Sequence, residues 1–131
     1  MKRNGFTLIE LLGVVTILAM LGLIVVPNIN KVISDNKQRL YDVQIENIKD
    51  GVSNFVDDNI LNLDIPNNSS IGIKLGKLKQ LGYIDKDISN PITKKKFSDD
   101  LVIMITNKDN SYGYVVCDNS VNCENVVLYE E

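Results

Sequence analysis

Between Phe6 and Pro27 the only plainly polar side chains are Thr7, Glu10 and Thr16. At a rise of about 1.5 Å per residue, a helix over this stretch reaches about 30 Å, the thickness of a bilayer's hydrocarbon core. A removable secretory signal would have a shorter apolar region followed by a small-x-small cleavage site. Ala19-Met20-Leu21-Gly22 is a poor version of that site, and Glu10 would interrupt the apolar region. An ordinary membrane anchor accounts for the length but not for Glu10. Charge alone leaves the orientation open, because Lys2 and Arg3 on one side face Lys31, Lys37 and Arg39 on the other.

The hydrophobic pattern does not stop at Pro27. Tyr41, Ile45, Ile48, Val52, Phe55 and Val56 recur at steps of three and four, which draws one apolar stripe on a helix. Asp42, Glu46, Lys49, Asp50 and Asn54 occupy its other faces. The pattern predicts one long helix from Phe6 to about residue 63, half membrane-embedded and half amphipathic. Pro27 removes a backbone donor and disfavours the α region for Val26, so a bend has a physical cause there. Gly13 and Gly22 suit close helix packing. Gly51 costs about 1 kcal/mol relative to alanine and marks a weak point in the amphipathic half.

The amphipathic stripe needs a cover, and the rest of the chain can supply it. Pro66-Asn-Asn-Ser-Ser70 reads as a loop, and Leu75, Leu78 and Leu81 as a short helix stopped by Gly82. Leu101–Thr106 and Tyr112–Val116 are β-branched and aromatic runs, separated by the loop-like Asn107–Ser111. Residues 125–129 offer a further strand. The fold class expected is α+β: a long N-terminal helix packed against a small antiparallel sheet at about residues 97–131.

Composition narrows the function classes. A length of 131 residues suits one small domain. There is no histidine, so Ser/His and Cys/His relays and His metal ligands are absent. Two cysteines cannot build a Cys-only tetrahedral zinc site in one chain. A net charge of −3 argues against a protein built around nucleic-acid phosphates. The sequence predicts no enzyme activity, no cofactor and no metal site.

Gly5-Phe6-Thr7-Leu8-Ile9-Glu10, preceded by Lys2 and Arg3 and followed by the apolar run, resembles the type III signal of type IV pilins and pseudopilins. The resemblance covers Lys2 to about Pro27, and beyond that it is architectural. It implies a leader over residues 1–5, removed by a membrane prepilin peptidase that cuts between Gly5 and Phe6. Phe6 would become the N-methylated terminus, and Glu10 the glutamate that guides subunit assembly. Residues 6–27 would form the filament-core helix, with a kink at Pro27, and residues 28–131 the extracellular domain, whose amphipathic helix ends at about residue 63.

The implied partners are other pilin copies, the peptidase, the assembly platform and the membrane. The implied location is a single-pass membrane precursor, then an extracellular pilus or pseudopilus. Cys117 and Cys123 fall in the part placed outside the cell, where an oxidising setting would bridge them and a reducing one would leave free thiols. Lys74, Lys77, Lys79 and Lys94–Lys96 would suit DNA in a competence role, although a solvated loop is the better account of them and the adjacent Asp99 and Asp100 would cancel part of any positive potential. Asp118, Asn119 and Glu124 offer oxygen ligands but match no calcium motif. The alternative to a filament subunit is a monomeric, membrane-anchored binding or sensor protein, for which Gly5, Phe6 and Glu10 would coincide by accident.

Overall fold

The computed structural model describes residues 5–118, 121, 123 and 126–129. It divides into two compact units between Lys37 and Gln38. One helix, α1 (Leu8–Asn59), contributes to both. Then follow β1 (Ser69–Lys74), α2 (Leu75–Leu81), β2 (Val102–Lys108), β3 (Ser111–Cys117) and β4 (Val127–Leu128).

The first unit is helical. Its large apolar side chains are exposed within the chain, from Leu8 and Ile9 through Leu12, Leu18 and Leu23 to Ile33. A stretch of this length and composition is long and apolar enough to cross a membrane.

The second unit is the predicted α+β arrangement. The sheet has the strand order β3-β2-β1-β4, with β1, β2 and β3 antiparallel and the two-residue β4 added parallel to β1. Side chains alternate across it. Ile73, Ile103, Ile105 and Val116 point inward and meet Ile48, Val52, Phe55 and Val56 of α1 in a single core with Leu75 and Leu78 of α2. The stripe read from the sequence is therefore the buried face of α1.

Local chemistry sets the turns. Asp109 and Asn110, which join β2 to β3, both take left-handed φ (52° and 62°), as a two-residue type I′ hairpin requires. Gly82 ends α2 at φ 86°, and the N–H of Tyr83 reaches back to the Leu78 carbonyl at 3.0 Å, closing a Schellman motif.

Three details differ from the sequence expectation. Helix α1 ends at Asn59 rather than near residue 63, where the Asn62 and Leu63 N–H groups turn back onto the Asn59 carbonyl. The sheet does not begin at residue 97, because Ser69–Lys74 forms a strand between β2 and β4. Gly51 is a contact point rather than a weak point: a Cβ there would lie 2.6 Å from Ile84 Cγ1 and 2.8 Å from the Tyr83 carbonyl oxygen.

Candidate assembly site

Gly5 and Phe6 precede α1, and Phe6 is exposed. Thr7 caps the helix. Its backbone N–H and its hydroxyl both donate to Glu10 Oε2, each at 2.8 Å, while Thr7 Oγ1 accepts the Glu10 N–H at 3.3 Å. This is a reciprocal capping box: a Thr and a Glu three residues apart satisfy donors that the first helical turn leaves unpaired. The same carboxylate places negative charge on the positive end of the helix dipole. Glu10 is thus held by its own helix terminus at the mouth of the apolar segment. The Thr7 role was overlooked in the sequence, although Thr7-Leu-Ile-Glu10 carries the S/T-x-x-E signature.

Further along, a Cβ at Gly13 or Gly22 would meet nothing within 4 Å, so both helix faces are open to a close neighbour. Helix α1 is assigned continuously through Pro27.

In the second unit, Cys117 ends β3 and its sulfur lies 2.04 Å from that of Cys123. Beside them the Tyr41 hydroxyl donates to Asp118 Oδ2 at 2.6 Å, tying α1 to the segment after β3. Burial, then the hydrogen bond and the charge of Asp118, push the Tyr41 phenol up to about 12. Asn119 and Glu124 lie outside the described residues. Among the described residues no group of three His, Cys, Asp or Glu side chains could hold a metal ion.

The lysines do not form one patch. Lys79, although buried, donates to Asp99 at 2.7 Å and to the Phe97 carbonyl at 3.1 Å. Lys74 pairs with Asp100 and Lys96 with Asp87. The Lys96 ammonium holds the Asp87 carboxyl below its usual range, and Asp87 in turn raises Lys96. Three of the six lysines singled out in the sequence are therefore matched by carboxylates, which weakens any field for nucleic acid.

Residues 1–26 match the family model described as the prokaryotic N-terminal methylation motif. No curated protein and no solved structure matches the chain. The motif contains both Gly5-Phe6 and the Thr7–Glu10 box, and it coincides with the apolar part of α1. This N-terminal prepilin methylation motif, ahead of an α+β domain built on a long helix, supports assignment of the chain to the type IV pilin and pseudopilin family of structural proteins.

Proposed function

We propose that the chain is made as a prepilin, cut between Gly5 and Phe6, N-methylated at Phe6 and polymerised through its N-terminal helix into an extracellular type IV pilus or a related secretion or competence pseudopilus. In this reading residues 1–5 are the leader, residues 6–27 the filament core with a bend at Pro27, and residues 28–131 the extracellular domain. A membrane aspartyl peptidase and an assembly platform are the processing partners, and other pilin copies the structural ones. The Cys117–Cys123 bridge belongs to the extracellular state, where it staples a small domain.

The observation that carries the proposal is Glu10, a carboxylate fixed at the start of an apolar helix whose side chains are left uncovered by the described chain. Such a carboxylate costs a few kcal/mol in lipid unless it stays shallow or finds a cation. In the membrane the capping box keeps it near the interface. Cleavage after Gly5 would create an α-amine with a pKa of about 7.7–8, largely cationic at neutral pH. In a filament core with little water, the amine of one copy and Glu10 of its neighbour offset each other's desolvation and set the axial register.

Sheared-fraction yield measured beside membrane abundance tests this role. Glu10→Val should insert but assemble poorly, since the neighbour's amine loses its anion. Glu10→Gln, which keeps shape and removes charge, should also be impaired. Wild-type yield from both variants would eliminate the pairing.

A further inference from the structure

Strand β3 is the outermost strand of the sheet, on the side away from β4. It pairs with β2 in unbroken register, and the two-residue turn at Asp109-Asn110 makes Lys108 and Ser111 a hydrogen-bonded pair. Bonded and non-bonded pairs alternate in an antiparallel ladder, so Ser111, Gly113, Val115 and Cys117 direct their backbone groups to β2. Tyr112, Tyr114 and Val116 direct theirs to the free edge. The other side of β2 agrees with this phase: the Leu75 N–H bonds the Leu101 carbonyl, which makes Ile73–Ile103 and Ile71–Ile105 the bonded pairs of β1. The Val116 carbonyl accepts the Asp118 N–H at 3.2 Å, which closes one end of the edge. Among the described residues, the outward backbone groups of Tyr112 and Tyr114 have no hydrogen-bond partner.

Open sheet edges are usually blunted by charge, proline, a bulge or shortness. At the opposite edge, β4 is two residues long. Ser111–Cys117 has no charged residue, no proline and no bulge. Its free edge also opens on a groove of about 340 Å³, with Tyr114 and Val116 on one side and Asp42, Ile45, Glu46 and Lys49 of α1 on the other. Ile45 is half-buried against the core and gives the groove an apolar surface. Asp42 and Glu46 are exposed. Lys49 lies 3.4 Å from Glu46, and no cation among the described residues lies within ion-pair distance of Asp42. With Asp118 also on its lining, the groove is acidic.

Backbone donors and acceptors that recur every second residue are matched by another extended backbone, the basis of strand addition. A strand laid beside β3, about 4.8 Å away, would turn alternate side chains toward the groove. We infer that the β3 edge takes up an extended, cationic peptide of a partner protein as an added strand. The peptide's backbone bonds Tyr112 and Tyr114, an apolar side chain rests on Ile45, and a basic one faces Asp42 and Glu46. A second copy that paired β3 with β3 would bring two acidic grooves together, so charge favours a different partner. The inference goes beyond the filament reading and does not require polymerisation.

Amide hydrogen exchange of the isotope-labelled full-length chain in detergent, read by NMR, tests the site with a capped peptide of alternating lysine and valine. In the free chain the Gly113 and Val115 N–H groups, bonded to β2, should exchange slowly and those of Tyr112 and Tyr114 fast. Peptide at about ten times its Kd should slow Tyr112 and Tyr114 roughly tenfold. The same peptide methylated on every backbone nitrogen keeps its charge and should protect neither. A peptide of alternating glutamate and valine should bind about tenfold more weakly. Asp42→Asn with Glu46→Gln should weaken the lysine peptide roughly fivefold, with slow Gly113 exchange showing that the fold is intact. Tyr112 and Tyr114 amides that are slow without peptide, or unchanged by it, overturn the inference. So does equal protection by the methylated or the glutamate peptide, or equal affinity in the double variant. Protection that rises with chain concentration in the absence of peptide would assign the edge to a second copy and likewise overturn it. None of these outcomes depends on filaments, so the inference and the filament reading fail separately.

Discussion

Replacing Gly51 with alanine sets two effects of comparable size against each other. On helix propensity alone the change favours folding by about 1 kcal/mol, because Gly51 lies inside α1. The packing opposes it. The new Cβ would lie 2.6 Å from Ile84 Cγ1, 2.8 Å from the Tyr83 carbonyl oxygen and 3.2 Å from Ile84 Cδ1. Ile84 is buried and has little room to rotate away. The Tyr83 backbone is held by its hydrogen bond to Leu78, so relief requires the α2 terminus to move. Overpacking that forces a backbone shift costs about 2–3 kcal/mol. The net prediction is a loss of about 1–2 kcal/mol, with Gly51→Leu losing more. Urea unfolding of the full-length chain in detergent, followed by tyrosine fluorescence, measures it. All five tyrosines lie between Tyr41 and Tyr129 and there is no tryptophan, so the signal reports this domain. An alanine variant more stable by about 1 kcal/mol would show that α1 and the 83–84 segment do not approach so closely.

Two further outcomes follow from the segment after β3. Tyr41 is held protonated to about 12, against about 10 in an unfolded chain, so its contribution to stability is intact below pH 10 and is lost as pH rises towards 12. Spectrophotometric titration should show one tyrosine ionising near 12, and Asp118→Asn should bring it down; a titration unchanged by that substitution removes the link. For the cysteines, non-reducing peptide mapping of protein recovered outside the cell should find the Cys117 and Cys123 peptides joined, whereas two alkylatable thiols would show the C-terminal domain without its staple.

The helical stripe was readable because burial and sequence period coincide: Ile48, Val52, Phe55 and Val56 are all buried against the sheet. The β2–β3 hairpin was readable for the same reason, its β-branched and aromatic runs alternating in and out of the core. Strand β1 was not. Ser69-Ser-Ile-Gly-Ile-Lys74 opens with turn-forming residues and has glycine at its centre, so local propensity favours a loop. Its neighbours decide instead. A Cβ at Gly72 would lie 2.9 Å from both Val102 Cγ1 and Val126 Cγ1, so the glycine admits side chains from β2 and from the C-terminal segment. That requirement comes from residues more than twenty positions away.

At the candidate site, Gly5, Phe6 and Glu10 were singled out from their order ahead of the apolar run, and their cleavage, methylation and assembly roles stand as proposals. Thr7 was missed because its hydroxyl looks incidental until the helix start is located between Thr7 and Leu8. Three lysine–aspartate pairs were hidden for a different reason. Lys79 and Asp99, or Lys74 and Asp100, become neighbours only when β1 and α2 fold back on the loop before β2.

The most direct test of the account is the intact mass of the chain recovered from sheared extracellular filaments of cells with a working prepilin peptidase. The account predicts a chain that lacks Met1–Gly5 and carries one added methyl group on Phe6, with the Gly5→Glu variant retained in the membrane at full length. A chain that still begins at Met1, or that is absent from the sheared fraction while abundant in the membrane, would contradict it.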